Sequence, residues 1–415
     1  MRSRLPVAAA LALAAGASFA SGGSVWMQYG HDAYQSNSNG TEKTLTAANV
    51  GALVPVWAGD AGEVPLELPA VHHGELLGAT AGLGMAAVPD VGGTAKWSVP
   101  VVAGSSTPSI TEDGTIMTFT YPNEVGYEGF LTAVSTATGA TLWTVPLNSY
   151  NGTPGWSAST TISGDTVSVV TNTNFTYAYD VRNGSWDNGG SEIQFSLDTL
   201  DPHLAMYGHW YFVVASQHRW VQQIYAHETV KRNREGWIAQ LGTETDGIAS
   251  TPRIAGNVLV VSDSQGGVYA FDLQTGAKRW TVVLPTVKGT VPGVTATSDK
   301  TVYAVSREAG AAADSIAALT AASGTQRWTS ALAGTALVRS NLALANGMVF
   351  AGTGEKTCST LTVLDAATGA TIASLPSHMP TGSGARCELA VADGKVILHG
   401  QGAAGATLQV LGLPS

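Results

Sequence analysis

Cys358 and Cys387 are the only cysteines in a chain of 415 residues. Two thiols can close a disulfide in an oxidising compartment, stay reduced, or share a metal, and no histidine stands at zinc-like spacing from either. The other residues with chemistry to offer are histidines and aromatics. Asp201, His203 and His209 fall along one strand and its turn, and His72 and His73 in a short turn before Gly74, which argues for exposure. His218, Arg219 and Trp220 fall in a long connection, with Tyr127 and Trp156 as neighbours from others. Together those five supply flat rings, a guanidinium and an imidazole, a mixture that holds a polar ligand or a partner surface. Packing within the loops is the other use of such residues. The chain has no GxSxG, HExxH, phosphate-loop or calcium-loop pattern, so no catalytic residue and no metal ligand is assigned.

These residues hang on a repeated phrase. GVYAFDLQTGAKRWTVVLP, from Gly267 to Pro285, reads as a strand, a tight turn and a second strand. Asp272 stands four positions before Gly276 and Trp280 four after it. Asp272 can accept from backbone amides two residues on, Gly276 can take a positive φ, and Trp280 can fill the gap between neighbouring sheets. The phrase returns at 131–147 and 316–332, and weakened at 361–376, where Ala373 holds the tryptophan position. Partial copies surround Trp97, Asp180 and Trp237. Markers at 97, 143, about 193, 237, 280, 328 and 373 give a period in the forties, the signature of a propeller with several short strands per blade.

The two ends of the chain complete one another. LVPVW, ending at Trp57, resembles a last strand without its predecessors, and CELAV, KVILHG and TLQVLGL are three strands without a fourth. Their union predicts an all-β, eight-bladed propeller of four-stranded antiparallel blades, closed by pairing an N-terminal strand with the C-terminal blade. Short turns such as Gly256-Asn257 and Asp393-Gly394 then gather on one face, and the long connections on the other, where binding usually resides. Cys358 and Cys387 fall on the long-connection side of adjacent blades, so a disulfide is expected between them.

Composition agrees with many closely packed strands: 49 glycines and only 12% charged residues leave no room for long solvated helices. Residues 1–20 carry Arg2 and Arg4, an apolar run and small residues at Ser18 and Ala20, the pattern of a secretory leader. The run is short for a membrane anchor, and there is no cysteine at the cut for a lipid. The domains expected are this leader, an extended segment at 21–52 and the propeller at 53–415. Without the leader arginines, 18 basic residues face 30 acidic ones, a net charge of about −12 that disfavours nucleic acid.

The phrase with Ala270, Asp272, Gly276 and Trp280, and the opening from Trp26 through Leu53 to Trp57, resemble the pyrroloquinoline-quinone-type propeller repeat family. That family includes quinoprotein alcohol dehydrogenases and the envelope lipoprotein of the outer-membrane assembly complex. Such dehydrogenases carry adjacent cysteines over the quinone, and carboxylate and amide ligands for calcium; this chain has no adjacent cysteines, and none of those residues is carried over. The resemblance implies an exported, periplasmic or extracellular protein. The expected function is a non-enzymatic, monomeric scaffold that binds a protein or glycan partner through its long connections, with no cofactor and no transmembrane segment. The alternative is a reduced oxidoreductase using the quinone and calcium.

Overall fold

A computed structural model describes residues 24–414 apart from 60–66, 81, 102–104, 123–128, 148–159, 171–174, 187–190, 193–203, 209, 218–220, 229–234, 242–249, 264, 287–292, 380–386 and 403–404. Among the described residues the fold is strands and turns, with one 3-10 turn at Val50–Ala52. The strands form eight sheets. Sheets 1 to 7 each take four consecutive strands, within 70–99, 109–147, 160–192, 205–240, 253–283, 293–331 and 337–376. Sheet 8 takes Cys387–Ala392, Lys395–Gly402 and Gly405–Gly412 from one end of the chain and Val54–Gly59 from the other.

The expected pairing of the Trp57 strand with the last three strands is therefore present, antiparallel, with Trp57 opposite Val410. Polar contacts hold sheet 8 together and tie it to sheet 1. Gln409 Nε2 donates to the Trp57 carbonyl at 2.8 Å, Lys395 Nζ lies 2.8 Å from Asp90 Oδ2, and Gly74 N donates to Asp393 Oδ2.

The repeated hairpin forms for the reasons its sequence suggests. Asp272 Oδ1 accepts from Gln274 N and Thr275 N, and Gly276 takes φ +67°. The tryptophan then works across the junction. Trp280 lies on the turn of sheet 6, where a Cβ on Gly324 would sit 2.7 Å from its ring, and its Nε1–H donates to Ala321 O at 2.7 Å. The same pairing of ring on glycine joins Trp97 to Gly139, Trp143 to Gly184, Trp237 to Gly276 and Trp328 to Gly369. In each case the indole N–H meets a carbonyl of the same turn, those of Thr136, Val181, Leu273 and Ala366. Trp57 of sheet 8 lies likewise on Gly92 of sheet 1. A backbone turn thus receives apolar cover and a hydrogen bond from one side chain, which is why an aromatic with a donor is needed.

Ala373 marks one exception and has a structural cause. Sheet 8 has no turn between its third and fourth strands, because those strands are the two ends of the chain. No glycine is there to receive a ring. Instead the Val50–Ala52 turn packs against the Thr371–Pro376 strand, and Leu45, Val50 and Leu53 join one core with Ala373.

Trp280→Ala is expected to lower unfolding free energy by about 3–5 kcal/mol, as large core truncations do. Leu142→Ala, at an exposed position on a last strand, is expected to change it by no more than about 0.5 kcal/mol. Urea denaturation of the two variants beside the parent checks both.

Candidate functional site

Within its own blade-like group of four, the first strand of each sheet pairs on one side only, so its other edge carries backbone groups that need partners. Residues 26–39 supply them, one sheet after another in chain order. Trp26 and Val71 exchange both backbone bonds at 2.8 Å on sheet 1. Ile110 N of sheet 2 then donates to Met27 O, and Ile162 N of sheet 3 to the Gln28 side-chain oxygen. Met206 N of sheet 4 donates to Ala33 O, Ile254 N of sheet 5 to Tyr34 O, and Thr297 N of sheet 6 to Ser36 O. Leu344 N of sheet 7 donates to Asn37 O, and on sheet 8 Asn39 Nδ2 reaches Val391 O at 2.8 Å. Ser38–Asn39 also pairs in parallel with Leu344 and Ala345.

Two tight turns let so short a segment reach every sheet. His31 N donates to Gln28 O and Gln35 N to Asp32 O, while the Asp32 carboxylate accepts from Tyr34 N, Ser36 N and Ser36 Oγ. The residues it meets stand just before the short first turns, Ile254 before Gly256 and Val391 before Asp393, so it lies on the short-turn side. Sequence reasoning treated 21–52 as an extended stretch and missed this. The signal that could have found it is the likeness of the opening, Trp26 to Trp57, to the start of known propellers.

Glu42 fastens the segment to sheet 8. Its carboxylate is fully buried and accepts from Ser24 Oγ at 2.5 Å, Thr44 N at 2.6 Å, Leu45 N at 3.0 Å and Gly394 N at 2.9 Å. Burial by itself pushes this carboxyl up, but the four donors, led by Gly394 N, outweigh it and hold it below the ordinary value of 4.5.

The cysteines are bonded to each other across a sequence separation of 29 residues, as expected, and join sheet 7 to sheet 8. Gly352 makes room, since a Cβ there would collide with both sulfurs. Beside them Asn341 pairs with the first strand of sheet 8, giving Nδ2 to Leu389 O and accepting from Leu389 N. Disulfide and amide stand at the one junction where alanine replaces the ring. Tyr127, Trp156, His218, Arg219 and Trp220 lie outside the described residues, as do Asp201, His203 and His209. His73 is exposed, but His72 is half-buried against Gly114 of sheet 2, a correction to the expected exposure of the pair. Burial, then His73 and Lys96, push its imidazole down to about 4, so it is neutral at physiological pH. Among the described residues no three His, Cys, Asp or Glu side chains gather as a metal would require.

A family model described as outer membrane protein assembly factor BamB matches residues 16–282 and 284–411. The chain belongs to the BamB family. The crystal structure of BamB from Moraxella catarrhalis is similar, with 18% identity and a TM-score of 0.52 over 86% of this chain and 99% of that one. Quinohemoprotein alcohol dehydrogenase from Comamonas testosteroni gives 14% identity and 0.61 over 93% and 80%. A europium-containing methanol dehydrogenase gives 11% and 0.58 over 94% and 98%. At these identities the likeness is one of fold. No curated protein sequence matches it.

Two outcomes are expected. Because the folded-state Glu42 lies below its unfolded value, its stabilisation is complete above about pH 5 and is lost as pH falls through the depressed value. Melting temperature measured from about pH 6 to about pH 3 should fall for the parent and fall less for Glu42→Gln, which should start lower at neutral pH. Replacing both cysteines by alanine should cost about 3–4 kcal/mol in urea unfolding, the entropy of a closed loop of this length.

Proposed function

We propose that the eight sheets close into a single eight-bladed ring, and that this exported ring is a non-catalytic scaffold recognising a protein or glycan partner at the cell envelope. The observation that carries the reading is the N-terminal segment. It bonds to all eight first strands beside their short turns, so that side of the ring is taken up by the chain itself. Recognition is left to the opposite side, which receives each second connection and each link to the next sheet, including 307–314 and 355–359. The role of assembly factor named for the family fits a frame of this kind. Among the described residues no helix is long and apolar enough to cross a membrane, and 1–20 has the composition of an export leader.

On that side Tyr127, Trp156, His218, Arg219 and Trp220 supply the aromatic and charged contacts, and the protein works as a monomer without a cofactor. The second reading, a quinone-dependent oxidoreductase, draws on the likeness of fold to quinohemoprotein alcohol dehydrogenases. One pair of measurements separates the two. Substituting His218, Arg219 and Trp220 together by alanine should abolish capture of the envelope partner that the parent retains, with the melting temperature unchanged. Equal loss of capture and stability assigns the trio to the frame. Quinone absorbance and dye reduction after adding pyrroloquinoline quinone and calcium would replace the scaffold by the enzyme.

A further inference from the structure

Among the described tryptophans Trp186 of sheet 3 alone is exposed, at 52%. It stands opposite Tyr179, two residues past the turn glycine Gly184, whereas Trp143, Trp280 and Trp328, which cover a neighbouring turn, stand four past theirs. Strand pairing puts Thr141, Glu235, Lys278, Gln326 and Thr371 at the same place in sheets 2, 4, 5, 6 and 7. All five are polar. A large ring with half its surface in water, at a place that five sister sheets keep polar, calls for a cause outside the frame.

The indole is held in place from beneath. It meets the rings of Tyr177 and Tyr179 edge to face, with centroids 5.9 and 5.7 Å away and planes at 85° and 71°, and both tyrosines are buried. Those tyrosines share a core with Leu131 and Leu147 of sheet 2, against which Trp143 and Val145 pack partly buried. Trp143 in turn lies on Gly184 and gives its Nε1–H to Val181 O. An aromatic side chain already fixed by its neighbours loses little freedom when a partner covers it, which suits it to anchor an interface.

Sheet 5 and the local charge point to the kind of partner. There Lys278 Nζ stands over Tyr269 and Phe271, 5.4 and 5.8 Å from their centroids, and Arg279 pairs with the Asp272 carboxylate. Sheet 3 keeps the ring pair as Tyr177 and Tyr179, and keeps the turn carboxylate as Asp180, which accepts from Arg182 N and Asn183 N. Its sequence, however, continues from Trp186 to Asp187 where Arg279 follows Lys278. Both cations are gone. Residues 160–192 carry Asp165, Asp180, Asp187 and Glu192 against one basic residue, Arg182, which is paired with Asp165 at 2.7 Å, and 129–147 of sheet 2 carry no charge. Indole is the ring that cations favour most, a guanidinium stacks flat on it, and the surplus of carboxylates draws positive charge. A sugar uses the ring but gains nothing from the carboxylates, and an acidic chain is repelled by them. We infer that the last-strand edge of sheet 3 is a docking surface for a basic polypeptide segment, which lays an arginine side chain on Trp186. The surface lies apart from the long connections, so the inference goes beyond the scaffold reading and does not depend on it.

The test uses the full chain labelled with ¹⁵N-tryptophan, the Trp186 indole signal being assigned by its disappearance in Trp186→Lys. Three probes are titrated separately: a hexapeptide of alternating glycine and arginine, its counterpart with the neutral isostere citrulline, and maltohexaose. The expected result is a saturable shift of the Trp186 indole with the arginine peptide while the other tryptophan signals stay in place. Fluorescence anisotropy of the labelled peptide then gives affinities, which should fall as sodium chloride rises and be about fivefold or more weaker for citrulline. Trp186→Lys and Trp186→Gln install the side chains that sheets 5 and 6 carry at this place, so the melting temperature should hold while the affinity drops by about fivefold or more. Equal binding of the citrulline peptide, or no shift with either peptide, overturns the inference. A shift with maltohexaose alone makes the ring a sugar platform and overturns it as well. Should Trp186→Lys fail to fold, Trp186→Gln decides, and an unchanged affinity in that variant rules out the docking surface.

Discussion

A strand that ends a sheet leaves half of its backbone groups unpaired, and each of the eight sheets begins with a strand whose outer edge needs partners. Buried backbone groups left unpaired are costly, so the arrangement depends on something that supplies a partner to each of these edges. Residues 26–39 do so with about one contact per sheet, seven of them accepting from a backbone N–H and one donating to a carbonyl. A regular strand could pair with one neighbour only. The segment reaches eight because it turns twice, and the three non-glycine residues in left-handed conformations are the cost of that path.

Neighbouring sheets are joined by one device used again and again. At five junctions an indole ring covers the glycine of the next turn and gives its N–H to a carbonyl there, combining apolar burial with a directional bond. Where the chain ends meet, the receiving turn does not exist. Three other contacts act at that junction: the 3-10 turn against Ala373, the Asn341 amide on Leu389, and the Cys358–Cys387 bond. A weak copy of the repeat is thus a consequence of topology and not of drift in the core.

The hairpins were legible in the sequence because their chemistry is local: Asp272, Gly276 and Trp280 have their spacing set by one turn, and the copies share it. The pairing of Trp57 with the last strands was legible as well, since two incomplete units left a strand short and a strand over. The path of residues 24–42 was not. Its bonds run to strands that lie up to several hundred residues away, one to each, so nothing periodic is printed in its own sequence, and Asn, Ser and Gly there read as loop. Glu42 has the same character, a single carboxylate whose four donors come from two ends of the chain. His72 read as exposed because its turn is polar, while the covering surface comes from Gly114 in another sheet.

The union of Val54–Gly59 with Gly405–Gly412 has a bearing on how the molecule comes into being. Synthesis runs from the amino end, so this strand is made long before its neighbour, Trp57 standing 352 residues ahead of Gln409. The residues ahead of it wait in the same way for Leu344 and Val391. The pairing of Val54–Gly59 and the contacts of residues 26–39 with sheets 7 and 8 therefore form only once strands made much later exist.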